Sequence, residues 1–241
     1  MATFNGTTNF ETINGTNAAD AIYGNGSLGG YDQLFGNGGN DTLIGSADEE
    51  NIYGGEGNDV IYGNGAVNNT EPSIFNGVAA YDILHGDGGN DKIYGGAGTD
   101  SIRGGTGNDT IFGNGGADVL WGEDGDDLIY GGSHRDQIFG GNGKDTIYGN
   151  GGGDLIDGGA GADVIWLGSG DATVVLAAGQ GSDTINNFQL GKTKFDVGNI
   201  GALTFQDVAG GAQIKEGVNV LGVVSWTQAS VLQNNVSSIF V

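Results

Sequence analysis

Aspartate recurs at every ninth residue in the middle of the chain: Asp91, Asp100, Asp109, Asp118, Asp127, Asp136, Asp145, Asp154 and Asp163. Each closes a Gly-rich segment. An aliphatic residue follows two positions later: Ile93, Ile102, Ile111, Leu120, Ile129, Ile138, Ile147, Ile156 and Ile165. The unit runs without a gap from Gly86 to Trp166 as GDGGNDKIY, GGAGTDSIR, GGTGNDTIF, GNGGADVLW, GEDGDDLIY, GGSHRDQIF, GGNGKDTIY, GNGGGDLID and GGAGADVIW. Carboxylates at a short fixed period, with no cysteine anywhere in the chain, are oxygen donors for a hard cation. Ca²⁺ suits them, because it accepts roughly six to eight oxygens in flexible geometry.

The elements that position these carboxylates follow from the period. The unit divides into a six-residue turn ending in Asp and a three-residue strand, x-U-x. Alternation sends the middle aliphatic inward and its neighbours outward. Nine residues make half a coil, and two units close one full turn of a solenoid. Residues i and i+18 then stack about 4.8 Å apart, at strand spacing. Asp91 lies over Asp109, and Asp100 over Asp118. Like charges so close repel, so a positive charge is needed between them. The glycines let the turn adopt positive φ and aim its carbonyls inward.

The units match G-G-x-G-x-D-x-U-x, and the chain resembles an RTX parallel β-roll over about three quarters of its length. The resemblance implies an all-β fold, a right-handed parallel β-roll of nonapeptide repeats with a C-terminal β capping segment. It also implies the ligand sets. One turn gives Ca²⁺ its positions two, four and six, and the turn one coil on gives one, three and six. Here the best pair is Asp87, Gly89 and Asp91 with Gly104, Thr106 and Asp109. The same rule pairs Gly96, Gly98 and Asp100 with Gly113, Gly115 and Asp118. It pairs Gly105, Gly107 and Asp109 with Gly122, Asp124 and Asp127. Asn114, Gly116 and Asp118 meet Gly131, Ser133 and Asp136. Glu123, Gly125 and Asp127 meet Gly140, Asn142 and Asp145, and Gly141, Gly143 and Asp145 meet Gly158, Ala160 and Asp163. Asp136 stacks with Gly149, Gly151 and Asp154. In the N-terminal repeats the expected ligands are Asp20, Asp32, Asp41, Asp59 and Asp82. Most contacts other than Asp would be main-chain carbonyls.

Composition agrees with a metal-folded roll. Glycine makes up 53 of 241 residues, proline one, and the net charge is −23. Acidic, Gly-rich chains stay disordered without compensation. On the order of ten Ca²⁺, one for each pair of stacked turns, would roughly cancel that charge, so folding is expected to be coupled to metal. Seven Lys and Arg give no basic patch, which excludes nucleic acid and anionic membrane as partners. Membrane insertion is also excluded, because no stretch is long enough to span a bilayer. The first residues, MATFNGTTNFETINGT, show no cleaved signal peptide. The resemblance implies type I secretion through an uncleaved C-terminal signal, and no catalytic domain is expected before the roll.

Along the chain, residues 1–13 read as an N-terminal cap, with TNFETI as an opening strand. Residues 14–186 read as the roll and 187–241 as a C-terminal β cap carrying the secretion signal. The unit around Asp32 has three extra turn residues. GSADEENIY has Glu50 in place of aspartate. An insertion of about residues 66–80 precedes Asp82. These irregular units, together with GGSHRDQIF, fall on one edge of the roll. One edge is therefore expected to hold a continuous Ca²⁺ column, and the other to be interrupted near the N-terminus. After Trp166 the repeat decays, leaving Asp171 and Asp183 in broken turns. From Lys192 the strands KTKFDV, ALTFQDV, AQIKEG and NVLGVV read as hairpins, and Thr227 as the cap of a short helix, QASVLQ. The C-terminal segment resembles those of cyanobacterial RTX proteins.

Position nine faces outward and is often aromatic. One face reads Tyr23, Ile44, Tyr62, Tyr94, Phe112, Tyr130, Tyr148 and Trp166; the other reads Phe35, Tyr53, His85, Arg103, Trp121, Phe139 and Asp157. Such a ladder stabilises the sheet, stacks on sugars or pairs two rolls. Catalysis is not expected. GNGSLG, Gly24 to Gly29, imitates a dinucleotide motif but no helix follows it. His85 and His134 sit at outward or turn positions, and Asp126–Asp127 lies in a repeat turn. The expected function is that of a secreted Ca²⁺-binding roll with a structural or adhesive role at the cell surface or in extracellular matrix. The alternatives are a polysaccharide-binding module and a self-assembling surface-layer or filament protein.

Overall fold

The computed structural model describes residues 1–7, 10–24, 31–46, 49–63, 81–177, 181–197, 203–216, 219–225 and 227–241. As far as Thr193–Asp196 successive strands alternate between two sheets, so each pairs with the next but one. Among the described residues the first sheet has thirteen strands and the second ten. The opening strands are Thr3–Asn5 in the first sheet and Thr12–Asn14 in the second. In the regular region Thr110–Gly115 pairs in parallel with Lys92–Ala97 before it and Leu128–Ser133 after it. Ile93, Ile111 and Ile129 are therefore in register, as the period of two units predicts. Irregular lengths are absorbed in the turns: Val60 still pairs with Lys92 across the insertion. The insertion itself, residues 66–80, lies outside the described residues.

The strands are longer than the pattern predicts. Lys92–Ala97, Ser101–Thr106 and Thr110–Gly115 each run six residues, from x-U-x into the next unit's first three positions. The chain kinks inside the strand without losing register. The kink is at position two, where φ is positive for Asp87 (72°), Asn114 (70°), Glu123 (78°) and Asn150 (65°). These angles lie in the left-handed region that Asn and Asp enter most readily. Position four is stricter. Gly107, Gly116 and Gly125 have φ of 122°, 132° and 145°, and a Cβ on Gly116 would lie 1.2 Å from the Gly98 carbonyl oxygen. His134, at φ 102°, holds the same position in the irregular unit.

The core is a single file of position-eight side chains between the sheets. Ile22, Leu34, Leu43, Ile52, Ile61, Leu84 and each of the nine aliphatics from Ile93 to Ile165 are fully buried. At the C-terminal end Ala172–Val175 and Thr193–Asp196 extend the second sheet in parallel, so KTKFDV forms a further rung rather than a hairpin arm. Asp183–Asn186 extends the first sheet and pairs with Asn219–Ser225. From there Gly211–Glu216 and Leu203–Val208 turn back antiparallel, as the turn signals predict. Phe195 is fully buried, stacks on Phe188 at 5.9 Å and meets Phe240 at 5.6 Å. The short helix is Ala229–Asn234, with Gln228 rather than Thr227 at its N-cap. Its first N–H is satisfied from outside the helix: Ala229 N donates to Asp207 Oδ1 at 2.6 Å. Among the described residues no helix is long and apolar enough to cross a membrane.

Candidate metal centres

Two columns of acidic side chains run along the two edges, inside the turns. The first holds Asp20, Asp41, Asp59, Asp91, Asp109, Asp127, Asp145 and Asp163, and the second holds Asp32, Glu50, Asp82, Asp100, Asp118, Asp136 and Asp154. All are at most 3% exposed. Each column is held by the backbone. Asp91 N donates to Asp109 Oδ1 at 2.8 Å, Asp109 N to Asp127 Oδ1 at 2.7 Å, and Asp127 N to Asp145 Oδ1 at 2.8 Å. The second edge repeats this through Asp100 N to Asp118 Oδ1, Asp118 N to Asp136 Oδ1 and Asp136 N to Asp154 Oδ1, at 2.8 to 3.0 Å.

The ladder passes through the irregular turns. Asp59 N reaches Asp91 Oδ1 at 2.7 Å, and Glu50 N reaches Asp82 Oδ1 at 3.0 Å. Ser46 Oγ donates to Glu50 Oε1, so the degenerate turn keeps an acid in place. At the far end Asp163 N donates to Asp183 Oδ1 at 3.2 Å. Asp183 thus joins the first column, a place the sequence hides because two extra residues break the spacing. Its signal is GSDTI, which keeps position four at Gly181, bridged to Gly161. Asp171, by contrast, is exposed and outside both columns.

The second carboxylate oxygen is the informative one. Oδ2 of Asp32, Asp41, Asp59, Asp82, Asp91, Asp100, Asp109, Asp118, Asp127, Asp136, Asp145 and Asp163 is buried without a hydrogen-bond partner among the described residues. Each of those in the regular repeats faces the position-one glycine of its own turn. A Cβ on Gly86 would lie 2.4 Å from Asp91 Oδ2 and 2.4 Å from the Gly104 carbonyl oxygen. Gly122 and Gly140 show the same convergence, with Asp127 and Asp145 Oδ2 and the Gly140 and Gly158 carbonyls. Glycine at position one keeps that space open. Among the described residues no three acidic or histidine side chains converge on one point. A cation here must take most of its shell from backbone carbonyls. Orphaned carboxylate oxygens with neighbouring carbonyls form an all-oxygen donor set, which fits Ca²⁺.

Electrostatics point the same way. Burial raises the pKa of Asp59, Asp100, Asp109, Asp118, Asp136, Asp145 and Asp154 to about 7, and of Asp91 and Asp127 to about 6. The backbone N–H donor opposes this shift, and adjacent carboxylates add to it at Asp109 and Asp145. Asp20 is the exception. Thr16 donates to Oδ2 from both its hydroxyl and its backbone, Ala2 N donates to Oδ1, and these bonds lower its pKa. Its carboxylate is already satisfied by protein donors.

The remaining expected ligands lie in the stacked turns. Gly105 pairs with Asp87 and with Glu123, and Thr106 with Gly88 and Asp124. Asn114 pairs with Gly96 and Gly132, and Gly115 with Ala97 and Ser133. The Gly141–Gly159 and Asn142–Ala160 pairs continue the first edge, and Gly151, paired with Ser133, continues the second. The side chains of Asp87, Thr106, Asp124, Ser133 and Asn142 are exposed, so these positions offer the interior their backbone. Glu123 is paired outward with Arg103 at 2.6 Å.

The outward aromatics form two stacks. On the first sheet Tyr62, Tyr94, Phe112, Tyr130, Tyr148 and Trp166 lie ring on ring, with centroids 4.8 to 6.1 Å apart and planes within 8°. On the second, Phe35, Tyr53 and His85 stack, as do Trp121 and Phe139; the Arg103 guanidinium lies 4.4 Å from the Trp121 ring. Burial in this stack lowers the His85 pKa. Cross-strand stacking uses the ring faces, and Ile44, in register between Tyr23 and Tyr62, breaks the first ladder before Tyr62.

The family model for the RTX calcium-binding nonapeptide repeat (4 copies) matches residues 28–49, 44–68, 76–111, 103–138, 112–147 and 139–174, together more than half of the chain. No curated protein gives a significant match.

Proposed function

Because this chain belongs to the RTX calcium-binding nonapeptide repeat family, we propose that its two columns of stacked turns are the Ca²⁺ sites and that they fold the roll after export. The family's repeats bind Ca²⁺. The observation that carries the site assignment is the row of buried, unpartnered Oδ2 atoms facing position-one glycines. Asp87, Gly89 and Asp91 with Gly104, Thr106 and Asp109 are the type pair of turns, repeated to Asp163 for on the order of ten ions. Asp183 joins the set as a further member, and Asp20, already saturated by Thr16 and Ala2, contributes structure.

Bound Ca²⁺ supplies the charge that lets stacked carboxylates stay ionised in a dry turn. The chain's own residues do the rest. The backbone N–H of each position-six residue fixes one carboxylate oxygen, and position-one glycine leaves room at the other. Residues 1–13 act as the N-terminal cap, 14–186 as the roll and 187–241 as the C-terminal cap with the type I secretion signal. The role is structural or adhesive, at the cell surface or in extracellular matrix, and no catalysis is assigned.

Far-UV circular dichroism during a Ca²⁺ titration, with Mg²⁺ as control, tests this reading. A cooperative gain of β signal with Ca²⁺ and none with Mg²⁺ is expected, because Mg²⁺ demands a near-ideal octahedron and dehydrates reluctantly. A folded spectrum in chelator that ignores Ca²⁺ would remove the metal from its organising place.

A further inference from the structure

The first aromatic ladder has an unfinished end. Inside it each ring is covered on both faces: Phe112 lies between Tyr94 and Tyr130, at 4.8 and 4.9 Å. Trp166 has Tyr148 on one face only, and the next residue in sheet register is Asn186, not a ring. Trp166 is 43% exposed. A shallow cavity opens beside it, lined by Tyr148, Asn150, Trp166, Leu167, Gly168 and Asn187. None of these six carries a charge, on a chain of net charge −23.

The two amides at the rim are held in place. Asn150 and Asn187 have left-handed backbones, φ 65° and 63°. Asn187 Nδ2 donates to the Leu167 carbonyl at 2.6 Å, and Asn150 Nδ2 leans on the Tyr148 carbonyl at 3.4 Å. Their donors face the protein. Their Oδ1 atoms remain as acceptors, engaged by no donor among the described residues.

We propose that this cavity binds a neutral pyranose unit of an extracellular glycan. A pyranose presents C–H bonds on its face and hydroxyls at its rim. The face matches an indole open on one side, and the hydroxyls match the two amide oxygens. The uncharged lining gives a uronate carboxylate no cationic partner. The far side of Tyr62, at the ladder's other end, faces the aliphatic Ile44, and the rings between Tyr62 and Trp166 are covered on both faces. The corresponding depression on the second sheet differs: Glu123, Asp124 and Asp157 line it, and Arg103 covers Trp121. This inference needs only the folded roll, not any particular ligand set in the turns.

Isothermal titration calorimetry of the Ca²⁺-loaded protein tests it, with cellohexaose and maltohexaose as neutral probes and an alginate oligosaccharide as the anionic one. The expected result is saturable binding of a neutral probe, at least about tenfold weaker in Trp166→Ala and unchanged in Trp121→Phe. Asn150→Gly removes one amide from a position that glycine already holds at Gly132 and should weaken binding of the neutral probe severalfold. It serves in place of Trp166→Ala if that variant does not fold. Three results overturn the proposal: no neutral probe binding at millimolar concentration, Trp166→Ala and Asn150→Gly both binding like the parent, or alginate binding more tightly than either neutral probe.

Discussion

A position-six aspartate does two jobs with its two oxygens, and substitutions can separate them. Asp109→Asn keeps an oxygen for the Asp91 N–H but removes the charge. It should raise the Ca²⁺ midpoint severalfold in the titration. Asp109→Ala loses both, and the buried Asp91 N–H then adds about 1–3 kcal/mol of destabilisation. Asp171→Ala, at an exposed residue outside the columns, should leave the midpoint where it is. Equal effects at Asp109 and Asp171 would refute the site assignment. The pKa shifts give a pH prediction with a definite sign. Burial raises Asp100, Asp109 and Asp118 from 3.8 to about 7 in the metal-free roll. A raised folded-state pKa contributes stability that is full below the unfolded value and is lost as pH rises through the folded one. In chelator, β structure should therefore grow as pH falls from 8 towards 5. The Ca²⁺ midpoint should rise over the same range, as protons compete for the carboxylates. A chelator spectrum independent of pH would contradict both.

At the scale of the turn, geometry decides which residues can vary. Position two accepts Asp87, Asn114 and Glu123 because its φ is near 70–80°. Position four disfavours side chains twice over, by φ and by the carbonyl of the preceding coil, and His134 is the exception in the regular run. Gly116→Ala should cost at least about 3 kcal/mol, and Asn114→Gly less than about 1, in denaturant unfolding with saturating Ca²⁺. The first edge carries a second brace that the second edge lacks among the described residues. Asn58 N donates to Asn40 Oδ1, Asn90 N to Asn58, Asn108 N to Asn90, Asp126 N to Asn108 and Lys144 N to Asp126, at 2.7 to 3.1 Å. This position-five ladder stops at Lys144, which has no acceptor. Asn90→Ala should lower stability by about 0.5–1.5 kcal/mol, measured as a shift in denaturant midpoint. An effect within error would mean that water replaces the bond without loss.

For the whole molecule, one buried aliphatic per nine residues is a thin core for a chain this rich in glycine. Apolar burial of that size does not offset the ordering of so much backbone, and stacked carboxylates add repulsion. On the proposed reading the roll needs its counter-charge, and folding should be conditional on the cation. The C-terminal end is different. Phe195, Phe240, Ile214 and Leu232 build a conventional apolar cluster there. That end should be the last part to lose protection in hydrogen exchange when Ca²⁺ is withdrawn, and uniform loss along the chain would count against it.

The sequence by itself determined the coil, its period and the acid at its centre, because a nine-residue repeat with one aliphatic and one aspartate admits a single stacked arrangement. It also located the outward rings. What it could not show depends on contacts across coils. Only the tertiary structure decided that the Asp91 N–H reaches Asp109, that Thr16 saturates Asp20, and that Asp183 completes a column across a broken spacing. It replaced Thr227 with Asp207 as the donor's partner at the helix start and turned KTKFDV into a rung. It showed that ladder rings cover one another, which leaves Trp166 at one end with Tyr148 on one face and Asn186 in register on the other. Period fixes what each residue is near within its own coil; the partner one coil away depends on turn lengths and backbone angles that the period does not carry.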